Sequence, residues 1–292
     1  MTQAVKPILL DGAMGTELGR RGANIALPLW SARALDEAPA LVQQIHAEYV
    51  RAGAQVITAN TFRTNVRALA KADMAHRARE LTFRAVALAR AAIAQADATG
   101  IVRLAGSIAP VEDCYMPELV PDQATLDDEH AVLARDLADA GVDLILIETQ
   151  NTLREACAAA RAAMATGKPF WVSFTLNAQN DLLSGESLAD AVRAVLAFAP
   201  QAILVNCVPT AQTESAVRLL RAVTPLDIPI GAYANAGRVD PDTGEWTMDG
   251  GDTPEAYAEA AQRWCAAGAT LIGGCCGTRP EHVQALAAAL RA

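Results

Sequence analysis

The sequence predicts a (β/α)8 barrel, and two observations support this fold class. Short apolar segments alternate with alanine-rich segments of helical spacing, which is typical of β/α units around a parallel sheet. Three junctions repeat Ala-Gly before an apolar run, at residues 52–57, 140–145 and 267–272, where the glycine suits the end of a helix. The expected strands are Ile8–Asp11, Val56–Asn60, Val102–Ser107, Leu144–Glu148, Phe170–Thr175, Ala202–Cys207, Pro229–Tyr233 and Thr270–Cys275.

The intervening segments have the features of amphipathic helices. Leu41, Ile45, Tyr49 and Ala52 form one apolar stripe, and Val132, Leu133 and Leu137 form another after the acidic residues 127–129. We expect the four histidines, which all fall in helical segments, to be solvated and not catalytic. They are His46, His76, His130 and His282.

The main competing architecture is an open doubly wound sheet. Its first strand-to-helix turn often carries a GxGxxG fingerprint, whereas here that turn reads Asp11-Gly12-Ala13-Met14-Gly15-Thr16. No Ser/Gly-rich linker divides the 292 residues, a length that α/β barrels often reach as one domain. We therefore expect a single barrel domain over residues 1–292.

Composition excludes several functional classes. A net charge of −9 argues against a nucleic-acid partner, and an aromatic content of 4% leaves few surfaces for base stacking. The chain has no uninterrupted apolar run of about 18 residues, so no membrane-spanning helix is expected. The N-terminal residues lack the basic and apolar regions of a signal peptide, which predicts a cytoplasmic protein.

Polar residues follow the predicted strands at the end where barrels collect their functional groups. They are Asp11, Asn60-Thr61, Ser107, Glu148-Thr149, Asn206-Cys207, Tyr233–Asn235 and Cys275-Cys276. The regular placement of polar residues directly after apolar runs indicates a binding site at the mouth of the barrel.

Cysteines dominate two of these strand ends. Cys275 and Cys276 lie among Gly273, Gly274 and Gly277, whose freedom of backbone geometry lets two adjacent thiols approach one point. A buried pair of cysteines in a glycine-rich turn is the alternative interpretation. Cys207, which ends the sixth strand, favours a metal site, because the ends of strands six and eight converge at the barrel mouth.

Three thiolates would leave one position open on a tetrahedral Zn²⁺, as in catalytic zinc sites. Such a site is suited to keeping an additional thiol deprotonated, so the predicted chemistry is transfer of an alkyl group to a substrate sulfur. Cys157 and Cys265 lie in helical segments and are expected to be buried small residues. Cys114 lies in the loop after the third strand and can approach the barrel mouth, so a contribution to the metal site stays open.

Carboxylates complete the predicted site. Asp11 and Glu148 can bind an ammonium group beside the metal, although each can instead be a helix cap or a surface carboxylate. The backbone N–H groups of Gly12, Ala13 and Met14 can form a concavity for a carboxylate. Together these groups describe an amino-acid substrate that bears a thiol.

The sequence resembles the homocysteine S-methyltransferase family over nearly its whole length. The matching segments are Asp11-Gly12-Ala13-Met14-Gly15-Thr16, Thr58-Ala59-Asn60-Thr61-Phe62, Glu148-Thr149, Asn206-Cys207 and Gly273-Gly274-Cys275-Cys276-Gly277-Thr278. The resemblance implies a barrel that methylates homocysteine to methionine, with Cys207, Cys275 and Cys276 as zinc ligands. It implies that Asp11 and Glu148 bind the amino group and that the backbone at Gly12 and Met14 binds the carboxylate; we also expect Asn60 to bind substrate.

The resemblance favours a sulfonium methyl donor, S-methylmethionine or S-adenosylmethionine. Betaine-dependent members have an aromatic residue where this chain has Thr149 and a C-terminal dimerisation extension that this chain lacks, so we expect a monomer or small homo-oligomer. The segment 106–115 departs from the Gly-Pro and Tyr-Gly of the S-methylmethionine enzymes. Its acidic and aromatic residues, Glu112, Asp113 and Tyr115 with the nearby Glu118, suit a cationic donor or are an ordinary solvated loop.

Two alternative functions remain open. The chain can be the homocysteine module of a split, cobalamin-dependent system that receives its methyl group from another protein. It can also be a non-enzymatic zinc-storing or redox-sensing protein in which Cys275 and Cys276 form a vicinal disulfide, although this leaves Asp11, Asn60 and Glu148 unexplained.

Overall fold

A closed ring of eight parallel strands forms the centre of the molecule in a computed structural model that describes residues 6–239, 246–247 and 251–291. The strand order is β1-β10-β7-β6-β5-β4-β3-β2, and a parallel bridge between Leu10 and Val56 closes the ring. The strands are β1 (Ile8–Leu9), β2 (Val56–Ala59), β3 (Arg103–Ile108), β4 (Leu144–Gln150), β5 (Phe170–Phe174), β6 (Ala202–Pro209), β7 (Ile230–Asn235) and β10 (Leu271–Gly274). A short antiparallel pair, β8 (Arg238–Val239) and β9 (Trp246–Thr247), follows β7.

Helices connect successive strands of the ring, as the alternating pattern predicts. They are α1 (Gly15–Arg20), α2 (Ala34–Glu37), α3 (Pro39–Ala52), α4 (Val66–Ala70), α5 (Ala78–Gln95), α6 (Gln123–Ala140), α7 (Leu153–Ala165), α8 (Leu188–Leu196), α9 (Thr210–Val223), α10 (Pro254–Ala266) and α11 (Pro280–Arg291). Three short 3₁₀ segments lie at Trp30–Arg33, Ala75–Arg77 and Pro117–Leu119. The (β/α)8 barrel is therefore confirmed.

Local sequence explains where the helices begin and end. In the described part of the chain, five helices begin after a side chain that accepts a hydrogen bond from the first turn, which satisfies an amide that has no acceptor within the helix. These capping residues are Asn65, Asp122, Thr152, Ser187 and Thr253. α3 and α6 end at Gly53 and Gly141, each in the left-handed conformation that the Ala-Gly junctions predict.

The ring separates two apolar layers. A compact inner cluster takes a residue from the path of every barrel strand, which only the interior of the ring can bring together. Within it Leu144 and Leu146 alternate along β4, while Ile145 and Ile147 point outward to the helices. The inner cluster fills the barrel below its mouth, so the functional residues lie on a packed base.

Two predictions about helical residues are wrong. Val132 is 39% exposed, so the apolar stripe of α6 consists of Leu133 and Leu137 without it. Three of the four histidines are also buried, at 1% exposure or less: His46, His130 and His282. Barrel helices pack against the ring on one face and against neighbouring helices on their flanks, so their buried surface is wider than a single stripe.

Each buried histidine has a different environment. Nε2 of His130 lies 3.2 Å from Oε1 of Glu155, and His282 accepts from the Arg279 amide through Nδ1, at 3.2 Å. The Asp252 carbonyl then lies 3.1 Å from Nε2 of His282. For His46, burial lowers the pKa to about 4, which keeps the ring neutral.

None of the helices among the described residues is both long and apolar enough to cross a lipid bilayer.

Candidate active site

A cavity of about 280 Å³ opens at the carboxyl ends of the barrel strands. It brings together the eight residues that the sequence predicts to bind substrate or metal. Its lining includes Asp11, Gly12, Met14, Asn60, Glu148, Cys207, Cys275 and Cys276. These residues come from loops and strand ends far apart in the sequence, and the common direction of parallel strands brings them to one mouth.

The thiols of Cys207, Cys275 and Cys276 form a cluster whose sulfur atoms lie within 4.8 Å of one another. Within it, Sγ of Cys207 is 2.8 Å from Sγ of Cys275. Cys207 has a φ of 55°, in the left-handed region, and the register of β6 against β7 shifts between Asn206 and Pro209. This irregularity turns the Cys207 side chain toward the cysteines that follow β10.

The glycines around Cys275 and Cys276 have distinct roles. Gly277 has a φ of 86°, which suits the turn after the two cysteines. Gly274 is required by close approach instead, since a Cβ there would lie 2.3 Å from Oγ1 of Thr278. The chain therefore leaves strand geometry at Cys275, and both adjacent thiols reach the same point.

Hydrogen bonds within the cluster favour a thiolate at Cys207. Hydrogen bonds with Cys275 and Cys276 lower the pKa of Cys207 well below its usual range despite desolvation. The pKa values of Cys275 and Cys276 are raised, first because their protons are held in the hydrogen bonds to Cys207. The cluster therefore favours a negative charge on the Cys207 sulfur.

Asp11 is a buried carboxyl group and Glu148 is a partly buried one, and hydrogen bonds fix the positions of both. Asp11 accepts hydrogen bonds from the amide and the hydroxyl of Thr58, at 2.8 and 3.3 Å. Glu148 accepts from the hydroxyls of Ser107 and Tyr233, at 2.5 and 3.3 Å. Neither carboxyl group is a helix cap, and Asp11 is only 7% exposed.

Burial raises the pKa of both groups. The pKa of Asp11 rises to about 8, chiefly by desolvation and further by the charge of Glu148, against the hydrogen bonds from Thr58. The pKa of Glu148 rises to about 7, again chiefly by desolvation. Desolvation disfavours the ionised form of both carboxyl groups. They are suited to binding a cationic group, because its positive charge stabilises the carboxylates in place of the lost hydration.

The backbone after Asp11 is partly committed to internal contacts. The sequence suggested that the amide of Ala13 helps to bind a carboxylate. In the structure this amide donates to Oγ1 of Thr278 at 3.1 Å, so it is not available to a ligand. Among the described residues, the amides of Gly12 and Met14 have no acceptor. The concavity therefore offers two N–H groups rather than three.

Asn206 holds the backbone on which Cys207 depends. Its Oδ1 accepts from the Thr149 amide at 3.0 Å and the Ser173 hydroxyl at 2.7 Å, and its Nδ2 donates to Oγ1 of Thr149 at 2.8 Å. Thr149 also has a positive φ, of 57°. Strained residues persist only where their surroundings fix them. This buried network fixes two strained residues, and sequence reasoning missed Ser173 because it lies inside an apolar strand.

The loop after β3 covers one side of the cavity. Its residues Asp113, Cys114 and Tyr115 line the cavity, although Tyr115 is 55% exposed. Cys114 is 6% exposed and lies outside the group of three thiols, and burial raises its pKa well above the usual range. The structure thus places Cys114 near the cluster without making it a member.

Buried groups behind the loop hold it in place. Glu155, in the first turn of α7, accepts from the Val111 amide at 2.7 Å, and Asn151 donates to the Cys114 carbonyl at 2.9 Å. Both residues are fully buried. Sequence reasoning missed them; the signal was the Thr152-x-x-Glu155 pattern, which is typical of a capping box, although here the glutamate binds the loop.

Comparison with known proteins gives one consistent family. The profile of the family described as homocysteine S-methyltransferase matches residues 8–290. The homocysteine S-methyltransferase of Escherichia coli is 36% identical over 300 residues, covering 96% of this chain and 94% of that protein. The selenocysteine methyltransferase of Astragalus bisulcatus is 30% identical over 315 residues, covering 97% of this chain and 92% of that protein.

Among solved structures, the chain is similar to the metallated form of the homocysteine methyltransferase MmuM from Escherichia coli. The TM-score is 0.83 at 31% sequence identity, with 98% of this chain and 96% of that chain covered.

Proposed function

The chain belongs to the homocysteine S-methyltransferase family and is an S-methyltransferase, and we propose that it methylates homocysteine to methionine with a small sulfonium donor, S-methylmethionine or S-adenosylmethionine. The observation that carries this proposal is one cavity in which three clustered thiols lie beside the carboxyl groups of Asp11 and Glu148. A metal-binding end and an ammonium-binding end in one cavity match an amino acid that bears a thiol.

We propose Zn²⁺ as the cofactor because the donor set fits it. A tetrahedral zinc with Zn–S bonds of about 2.3 Å needs sulfur atoms about 3.8 Å apart. The three sulfur atoms lie within 4.8 Å of one another, so small side-chain rotations suffice. Cys207, Cys275 and Cys276 would hold the ion. Zinc held by three thiolates keeps a further thiol deprotonated near neutral pH and so supplies a sulfur nucleophile.

The chain's own residues position the substrate. We assign the ammonium group of homocysteine to Asp11 and Glu148, whose ionisation it would favour by supplying a positive charge in a buried place. The amides of Gly12 and Met14 are assigned to its carboxylate. Asn60 donates one N–H of Nδ2 to the Ser31 carbonyl at 2.8 Å, which leaves its second N–H and its Oδ1 for contact with substrate.

The reaction needs alignment more than proton transfer. The homocysteine sulfur forms a bond to the methyl carbon while the bond from that carbon to the donor sulfur breaks, and its electron pair returns to the donor sulfur. The donor then leaves as a neutral thioether, so no general acid is required. Orienting groups such as Ser107 and Tyr233, which fix Glu148, hold the acceptor in line.

Further properties stay predictions. They are the organisation of residues 1–292 as one homocysteine-binding domain, a monomeric or small homo-oligomeric state, a cytoplasmic location and the lack of a nucleic-acid partner.

The proposal is tested by methionine formation from homocysteine with the zinc-loaded protein. S-methylmethionine, S-adenosylmethionine, betaine and dimethylsulfoniopropionate are supplied one at a time. We expect turnover with a sulfonium donor and none with betaine. Absence of turnover with every donor, while zinc and homocysteine still bind, would instead favour a split system in which another protein supplies the methyl group.

A further inference from the structure

Arg63 is a buried cation on the wall of the cavity. It follows β2, is 7% exposed and lines the same cavity as the thiol cluster. Its Nη1 donates to the carbonyl oxygen of Glu112 at 3.1 Å, and its Nε has no hydrogen-bond partner. Among the described residues, no carboxylate oxygen lies within 4.0 Å of this guanidinium group.

A buried charge without a counter-ion is costly, so its retention calls for a physical reason. Glu112, whose backbone carbonyl accepts from Arg63, does not supply the missing negative charge. Its carboxylate pairs with Arg67 and Lys71, and only its backbone oxygen reaches Arg63. The guanidinium therefore keeps hydrogen-bond donors and a full positive charge for a group that enters the cavity.

The position of Arg63 separates it from the thiol cluster. In a ring of eight strands in this order, β2 stands opposite β6, which carries Cys207. The cavity spans the distance between them. Homocysteine already has an assigned place for each of its charged groups near Asp11, so an anion at Arg63 belongs to the second substrate.

Two aromatic side chains line the same cavity. Trp30 and Phe62 line it, and the Phe62 ring centroid is 5.7 Å from the guanidinium carbon of Arg63. Trp30 has a φ of 49°, which is strained for a bulky residue, and its indole packs on Gly15, where a Cβ would lie 2.2 Å from Nε1. Aromatic faces attract sulfonium as they attract other cations.

We propose that Arg63 binds the carboxylate of the methyl donor and so selects, among sulfonium donors, those that also carry a carboxylate. A guanidinium group binds a carboxylate with two parallel hydrogen bonds, which fixes the donor's orientation as well as its charge. The proposal rests on the methyl transfer proposed above and specifies the class of the donor.

The test compares a donor that has a carboxylate with one that lacks it. The wild-type protein, Arg63→Gln and Arg63→Lys are assayed with homocysteine and either S-methylmethionine or its carboxamide. With Arg63→Gln we expect the KM for S-methylmethionine to rise about 10- to 100-fold, the range for lost hydrogen bonds to a charged group. The KM for homocysteine and turnover with the carboxamide should not change. Arg63→Lys should restore part of the loss, since it keeps the charge without the planar fork.

Arg67→Gln is the matched control. This neighbouring arginine pairs with Glu129 at 2.5 Å, and its removal should leave the KM of both donors unchanged. If Arg63→Gln weakens both donors equally, the residue is structural, and if it raises the KM for homocysteine, it binds the acceptor; either result overturns the proposal.

Calorimetry measures carboxylate binding at Arg63 independently of methyl transfer. If the wild-type protein transfers no methyl group from any donor, the proposed function fails, yet S-methylmethionine binding can still be measured. Tighter binding to the wild type than to Arg63→Gln, with no such difference for the carboxamide, would support the carboxylate site by itself. Equal binding of both ligands by both proteins would overturn it.

Discussion

Two walls of the cavity are built in different ways. The thiol wall consists of Cys207, Cys275 and Cys276 and is formed where β6 and β10 end. The loop wall consists of Arg63, Asp113, Cys114 and Tyr115 and is formed by the connections after β2 and β3. Strand register positions the first wall, whereas side-chain hydrogen bonds to carbonyl and amide groups position the second.

The two ways of building the walls suit them to different functions. Groups at strand ends share the rigidity of the ring, so the thiol wall is suited to holding a metal and a reacting sulfur within narrow limits. Loops tolerate substitution and are the usual carriers of specificity in barrel enzymes. We therefore expect changes in the thiol wall to abolish the reaction and changes in the loop wall to alter which donor is used.

The largest effect is expected at Cys207. Replacing it with alanine removes one of three thiols, and we expect metal to be lost together with turnover, by at least about a thousandfold. Metal content by atomic absorption and methionine formation check this. Cys114→Ala is the matched control from the loop wall, because that thiol lies outside the cluster and should leave the metal in place. Cys207→Ala protein that keeps full activity without zinc would disprove the scheme.

A smaller effect is expected for Asp11→Asn, which should weaken homocysteine binding and stabilise the folded protein. Asp11→Asn should raise the KM for homocysteine about 10- to 100-fold through loss of a charged hydrogen-bond acceptor. In the wild type, that KM should also increase as the pH falls below 8, because the pKa of Asp11 is raised to about 8 and the neutral acid binds ammonium poorly. The variant should lack this part of the pH dependence.

Asp11→Asn should increase the stability of the folded protein although it weakens binding. The pKa of Asp11 is higher in the folded protein than its ordinary value of 3.8, so the folded state loses stability as the pH rises from about 4 to about 8. Asp11→Asn should therefore melt above the wild type at pH 8, and the difference should shrink toward pH 4. Asp113→Asn, on the loop wall, is the control and should leave the KM for homocysteine unchanged. A variant that melts lower than the wild type at pH 8 would contradict the assignment.

The two walls also differ in how far the sequence predicts them. Apolar runs that end in polar residues locate the strand ends, and the three cysteines, Asp11 and Glu148 all lie where that pattern predicts. The residues that fix them are harder to find. Asn206 and Ser173 act through a hydrogen-bond network between neighbouring strands, and nothing in their own local sequence separates Ser173 from an ordinary strand residue.

The loop wall depends on contacts that sequence distance conceals. Glu155 lies 44 residues from Val111, and Asn151 lies 37 residues from Cys114. From the sequence alone, Arg63 is not distinguished from other charged loop residues. The sequence shows neither that its side chain is buried nor that it lacks a carboxylate partner. The burial of three histidines was missed for a related reason, since spacing along one helix does not show what packs on its flanks.

The smallest effect is expected at Glu155, which links α7 to the loop wall. Glu155→Ala leaves the Val111 amide without its acceptor, so we expect the loop to loosen and the KM for the methyl donor to rise about three- to tenfold, with a loss of about 1–3 kcal/mol of stability. The KM for homocysteine should not change, because the thiol wall is built independently. Glu155→Gln keeps an oxygen that can accept from Val111 and should restore the donor KM. If both variants raise the KM for homocysteine as much as that for the donor, the two walls are mechanically coupled and the distinction between them fails.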